Sequence, residues 1–183
     1  MGRDQQQSAI RALYGKEVDE ALEGIDPDGD RIKHLVSAYS QSLRDETALP
    51  YILRFDMLNM TGNVSYALLH ATANKLGIKR MKQAMWKVDP GGSYQFSDRS
   101  HGEAVLFQPE PDLTLLRSLI LNEFQNRRGI TKDEVHWYTI LETSYRETHA
   151  TPLLANFEKE GLIDVRRPSG RRGFSDGVTF DLV

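Results

Sequence analysis

The stretch Leu153–Ile163, near the end of the 183-residue chain, constrains the fold more than any other. Leu153, Leu154 and Phe157 recur at helical spacing with charged residues around them, and Gly161 stands directly before an apolar segment. Glycine accepts the left-handed backbone conformation that ends a helix and reverses the chain. The pattern therefore predicts a helix followed by a strand that packs back over it.

Two further helices are predicted before this one. Asp112 is placed to cap a helix with a leucine-rich face, which stops at Gly129. Thr131 and Glu134 have the spacing of a capping box and predict the start of a second helix. The third helix is expected to start between residues 144 and 151.

Two strand patterns complete the chain, Leu162–Arg167 and Gly177–Leu182, around a loop rich in Gly, Pro and Arg. The order of three helices and a hairpin is that of a winged helix. We therefore expect residues 112–183 to form a winged-helix domain whose third helix and hairpin loop, the wing, lie side by side.

The first half of the chain has a different pattern. Residues 1–49 are polar with two helical apolar stripes, and Tyr51–Met57 and Val64–Ala71 read as the strands of a hairpin. A helix from about Asn74 to Trp86 follows, with Leu76, Ile78, Met81, Met85 and Trp86 available to a core. Its basic residues are expected mostly on the other face, either as part of a binding surface or simply solvated: Lys75, Lys79, Arg80, Lys82 and Lys87.

These patterns together predict an α+β protein. Its expected parts are a helical segment over residues 1–49, a hairpin and helix unit over 50–90, a linker over 91–111, and the winged helix over 112–183. The linker is identified by its content of Gly, Ser, Pro and acidic residues.

Composition excludes several classes of function. The chain has no cysteine, so disulfides, thiolate metal sites and cysteine nucleophiles are excluded, and a cytoplasmic location is expected. The five histidines lack paired ligand spacing, and no metal or cofactor is expected. No segment is apolar enough for a signal peptide or a membrane span. A nucleophile elbow, a phosphate loop and a glycine-rich cofactor turn are all missing, so we expect no catalysis by this chain alone.

Binding of nucleic acid, with DNA the expected partner, is the leading hypothesis. Arginines on either side of residues 168–170 give the wing a cationic tip suited to phosphate, and further polar residues precede or begin the third helix. The candidate contacts are Arg146, Thr148, His149, Arg166, Arg167, Arg171 and Arg172. The net charge of −3 requires that any such binding come from a local patch.

An alternative stays open at this point. Many winged helices bind proteins, and the third helix also carries Glu147, Glu158 and Glu160, which oppose a polyanion. The chain could then be an adaptor that docks a partner enzyme. Trp86 and Trp137 lie at core-facing helical positions, so burial explains them before base stacking does.

Residues Met81–Asp98 resemble the three-Cys-motif partner proteins, and the similarity extends over most of residues 50–183. The resemblance implies a class I methyltransferase-like α/β domain ahead of this region in full-length members. This chain would then be a fragment or a shortened relative, or a methyltransferase remnant acting with a separate cofactor-binding chain. The turn that would hold S-adenosylmethionine is missing from it, so the resemblance implies no catalytic residue here.

Overall fold

The computed structural model describes residues 31–97, 110–169 and 171–183, together with Ser8 and Arg11. Its helices and small sheets confirm the α+β class. Internal contacts divide the chain into an N-terminal unit, Met1–Asn74 with Gln95–Gly102, and a C-terminal unit, Lys75–Tyr94 with Glu103–Val183. The helix predicted within residues 1–30 lies outside the described residues, apart from the helical Ser8 and Arg11.

The N-terminal unit consists of one described helix and a three-stranded sheet with the order β2-β1-β3. The predicted hairpin is confirmed: β1 and β2 pair antiparallel, with Tyr51 opposite Thr72. The strand β3 pairs with β1 in parallel and lies inside the segment that was expected to be only a linker. The elements are α1 (Arg31–Glu46), β1 (Tyr51–Leu58), β2 (Val64–Thr72) and β3 (Gln95–Ser97).

The C-terminal unit contains four helices and three short strands in its described residues. Its strands form an antiparallel sheet with the order β4-β6-β5. The elements are α2 (Lys75–Val88), α3 (Thr114–Phe124), β4 (Ile130–Thr131), α4 (Lys132–Glu142), α5 (Glu147–Lys159), β5 (Ile163–Arg166) and β6 (Thr179–Leu182).

One apolar core holds this unit together. Helices α3, α4 and α5 each bury one face, and β5 and β6 cover the core with Ile163 and Phe180. Burying such side chains contributes roughly 1.5–3 kcal/mol each. The core residues are Trp86, Leu116, Ile120, Phe124, Ile130, Val135, Tyr145, Ala150, Leu153, Leu154, Phe157, Ile163 and Phe180.

Two of the predicted helix-end signals are present, whereas those of α3 are wrong: its cap residue is Leu113 and not Asp112, and it ends at Phe124, before Gly129. The capping box is confirmed, since Thr131 Oγ1 accepts the Glu134 N–H at 3.2 Å and Glu134 Oε2 accepts the Thr131 N–H at 2.8 Å. Gly161 has φ +72°, and the Leu162 N–H donates to the Phe157 carbonyl at 2.9 Å. The chain therefore turns back after α5, and β5 pairs with β6.

Helix α2 corrects the predicted organisation, because it belongs to the C-terminal unit and not with the hairpin. The indole Nε1 of Trp86 donates to the Ser144 carbonyl at 3.1 Å, and its ring stacks with Tyr145 at a centroid distance of 6.0 Å. These contacts dock α2 on the loop between α4 and α5.

Lys82 makes the second attachment, and its expected place on the exposed basic face is wrong. The side chain is buried, and Nζ donates to the carbonyl oxygens of Thr139, Thr143 and Tyr145. The last carbonyls of a helix have no partner within it, so a cation at the end of α4 is favourable. Lys82 thereby ties α2 to the end of α4.

Among the residues described, no helix combines the length and the apolar composition needed to cross a bilayer.

Candidate nucleic-acid interface

Two of the four wing arginines are bound to the protein's own carboxylates. Arg166 forms an ion pair with Asp181 across the β5–β6 hairpin. Arg167 donates two hydrogen bonds of 2.6 Å to Glu158 at the end of α5, and its guanidinium lies 5.9 Å from the Phe174 ring centroid. Both side chains brace the hairpin, and their charges are already compensated.

Arg171 and Arg172 differ from that pair. Both are exposed in the loop that joins β5 and β6. No ion pair engages either of them within the described part of the chain. Of the predicted cationic tip, these two guanidinium groups remain open to an anionic partner.

His149 does not lie where the sequence suggested. Its side chain is buried, with its ring edge-on to Trp86 at a centroid distance of 4.3 Å, and its Nε2 accepts a 3.2 Å hydrogen bond from Arg146 Nε. Burial, and then the charge of Arg146, lower the pKa of His149 to about 4. The expectation that His149 contacts a groove is therefore corrected: it is a neutral support that orients Arg146.

Arg146 and Thr148 begin α5 and line a cleft with residues of α2. We call it the basic cleft; its volume is about 330 Å³. Thr148 is exposed at its rim, as are Arg80 and Lys87 from α2. The lining residues are Arg80, Gln83, Ala84, Lys87, Arg146 and Thr148.

The charges around the basic cleft do not cancel. The nearby Glu147 is buried and already paired, because Lys79 Nζ lies 3.2 Å from its Oε1 and Gln83 Nε2 donates to the same oxygen at 2.8 Å. The described residues that line the cleft include three cations and no carboxylate. The cleft therefore carries a local positive charge although the chain as a whole is acidic.

A second cleft adjoins it, with a volume of about 460 Å³. We call it the aromatic cleft. It shares Lys87 and Arg146 with the basic cleft, so the same two cations serve both. Its lining residues are Trp86, Lys87, Pro90, Glu110, Pro111, Arg146 and His149.

The sequence placed Arg80 and Lys87 on a basic face that was either part of a binding surface or solvated, but it did not join them to Arg146. The signal was available in part, because α2 carries cations at helical spacing next to a tryptophan. What was missing was the docking of Trp86 on the α4–α5 loop, which brings α2 to the start of α5. The sequence alone does not show that the cations of α2 lie close to Arg146, because that proximity depends on the contact made by Trp86.

No protein-family model matches the chain, and neither a curated protein nor a solved structure matches it. The resemblance to three-Cys-motif partner proteins therefore stays a prediction. In the ranges 31–97, 110–169 and 171–183, no three His, Asp or Glu side chains are grouped as a metal site would require.

Proposed function

We propose that the C-terminal unit is a winged-helix domain that binds nucleic acid, with duplex DNA the expected form. The order α3-β4-α4-α5-β5-β6 and the sheet order β4-β6-β5 support this fold. In such domains the third helix enters the major groove and the wing contacts the backbone. Helix α5 would be the recognition helix, and the β5–β6 loop would be the wing.

The observation that carries the proposal is the convergence of Arg80, Lys87 and Arg146 on one cleft at the start of α5. The first N–H groups of a helix lack intrahelical partners and favour an anion. Arg146 stands at the cap position of α5, where no side chain caps the helix. A backbone phosphate bound in the basic cleft would bring the start of α5 toward the groove.

The exposed side chains of α5 are suited to a groove. Thr148, Thr151 and Asn156 are exposed, and hydroxyl and amide groups of this kind form hydrogen bonds with base edges. The proposed contacts are Arg80, Lys87, Arg146 and Thr148 around the basic cleft, with Arg171 and Arg172 in the wing. Arg166 and Arg167 now have the role of stabilising the hairpin.

The test is a fluorescence anisotropy titration of labelled duplex DNA and duplex RNA at several salt concentrations. Each phosphate contact that is lost makes the slope of log K against log salt shallower by about 0.9. Lys87→Gln/Arg146→Gln should therefore make the slope shallower by about 2. Failure of the wild-type chain to bind either duplex at low salt would refute the proposal.

A charge-matched control is Arg44→Gln/Arg128→Gln. Both residues are exposed; Arg44 lies on α1 in the other unit. Arg128 lies just before β4. Because Ile130 pairs with Phe180 and Thr131 with Thr179, Arg128 continues β4 on the side away from the wing loop. The control should keep the wild-type slope. An equal change in both double variants would mean that net charge, and not the basic cleft, determines binding.

A second candidate function, docking of a protein partner, is favoured by strand β2. Among the described strands it pairs with β1 alone, and Tyr66 and Leu68 on it are 55% and 47% exposed. An open strand edge can accept a strand from a partner. Capture of a partner that persists at high salt and is lost in Tyr66→Ser/Leu68→Ser would favour this function, because apolar contacts are weakly screened.

A further inference from the structure

The aromatic cleft is larger than a contact with a phosphate requires. A backbone phosphate can bind to a flat basic surface, whereas this cleft has a volume of about 460 Å³, within the usual range of small-molecule sites. Its position beside the basic cleft leaves Lys87 and Arg146 between the two spaces. The two clefts can therefore hold an anionic group in one space and a larger chemical group of the same ligand in the other.

The lining of the aromatic cleft combines rings with charged groups, and its accessible surface is more polar than apolar, which suits a planar group with polar edges. Trp86 and His149 line it and are buried, and Pro90 and Pro111 line it and are half-buried. Bases that leave a stack are held in protein pockets by aromatic and apolar side chains of this kind.

His149 adds an independent sign of a ligand. Its Nδ1 is buried and has no hydrogen-bond partner among the described residues. Since Nε2 accepts from Arg146, the neutral ring carries its proton on Nδ1. Buried polar atoms without a partner are uncommon, and a group bound in the cleft would explain this one.

We propose that the two clefts together bind one nucleotide, with its phosphate at Lys87 and Arg146 and its base in the aromatic cleft. This inference rests on the proposed function, because it uses the same phosphate contacts at Lys87 and Arg146, and it extends that function to a specific ligand. The same chemistry comes from two sources: an unpaired nucleotide at the end of a nucleic-acid strand, or a free nucleoside monophosphate.

Glu110 sets the ligand's charge and orientation. It is the carboxylate that lines the aromatic cleft, and it would repel a second phosphate there. A base with N–H groups on its edge would instead donate to it. The expected ligand therefore carries a single phosphate, which lies on the side of Lys87 and Arg146.

The first experiment compares a blunt DNA duplex with the same duplex bearing one unpaired nucleotide at a 3′ end, which carries only the 5′ phosphate that joins it to the strand. The wild-type chain should bind the overhang duplex roughly tenfold tighter, which is the expected gain for one stacked base. Glu110→Trp fills the aromatic cleft and should abolish that preference while blunt-duplex binding is unchanged or stronger. Glu110→Gln removes the same charge without filling the cleft and keeps a carbonyl oxygen that accepts from the base edge, so it should retain a preference for the overhang duplex.

The second experiment uses Trp86 as a reporter. The chain has two tryptophans, so Trp137→Phe leaves Trp86 alone to report on the cleft. Adenosine 5′-monophosphate should change its fluorescence saturably, and ribose 5-phosphate, which lacks a base, should not.

The results separate the two sources. A preference for the overhang with no response to the free nucleotide assigns the cleft to a strand end, and the reverse assigns it to a free nucleotide. Absence of both overturns the inference. Binding of the blunt duplex and its salt slope report separately on the proposed function, so the two failures are distinguishable.

Discussion

The protonation of Lys82 makes stability depend on pH in an uncommon direction. Burial lowers the pKa of Lys82 from 10.5 to about 8, against the charges of Glu142 and Glu147, which raise it. Between pH 8 and 10.5 the unfolded chain therefore holds a proton that the folded chain has released. Since the unfolded state binds more protons in this interval, the free energy of unfolding rises with pH.

The size of the effect follows from the two pKa values. One pH unit in which the two states differ by a full proton changes the free energy of unfolding by about 1.4 kcal/mol. From pH 8 to pH 10 the folded state is only partly deprotonated at first, so the gain is about 2 kcal/mol. Above pH 10 it is opposed by Tyr94, because burial raises the pKa of that phenol to about 12 in the folded chain.

The assay is urea denaturation at pH 8 and pH 10 of the wild-type chain and of Lys82→Met. Methionine replaces the buried stem with an apolar chain and removes the titrating group. The difference in unfolding free energy, wild type minus variant, should be larger at pH 10 by about 2 kcal/mol. An unchanged difference would refute the reasoning, and it would mean that the three carbonyl acceptors keep the ammonium charged despite its burial.

Three further predictions concern the stability of the fold. Burial lowers the pKa of His149 to about 4, so the unfolded chain takes up a proton before the folded chain does as pH falls below 6.5. The wild-type chain should therefore lose more thermal stability between pH 7 and pH 5 than the His149→Gln variant does. Gly92 has φ +76°, and the Cβ added in Gly92→Ala would overlap the Trp86 ring, so this variant should lose roughly 2 kcal/mol or more of unfolding free energy in chemical denaturation. Gly62 has φ +85° and no neighbour around the added Cβ, so Gly62→Ala should lose about 1 kcal/mol. Thr131→Ala removes one half of the capping box and should cost about 1 kcal/mol, measured as a shift of the urea midpoint.

The parts of the fold that were predictable are those whose cause is local in sequence. The spacing of Thr131 and Glu134 alone specifies a capping box, and Gly161 specifies the end of α5 through its positive φ. Between β1 and β2, the Asn59 side chain accepts hydrogen bonds from the Thr61 and Asn63 N–H groups, so the turn is closed within five residues. Such signals act through contacts between residues close in sequence and do not depend on tertiary contacts with the rest of the chain.

The candidate site was predicted only in part because it depends on contacts distant in sequence. Arg166 and Asp181 are 15 residues apart, and only the register of the hairpin shows that they neutralise each other. Lys82 reaches its carbonyl partners across about 60 residues. A count of arginines in the wing therefore overestimated its free charge, and the helical pattern of α2 left its buried lysine unrecognised.

The pairing of carboxylates decides where an acidic chain can attract an anion. Glu158 and Asp181 neutralise cations of the wing, whereas Glu147 is neutralised by Lys79 and thereby removed as a competitor beside the basic cleft. If Lys79 were lost, Glu147 would keep only the hydrogen bond from Gln83, and its uncompensated charge would weaken the basic cleft, although Lys79 is not among the residues that line it. Lys79→Met should therefore lower DNA affinity while leaving the salt slope nearly unchanged, because no phosphate contact is removed. A slope that becomes shallower by about 0.9 would instead make Lys79 a direct phosphate ligand.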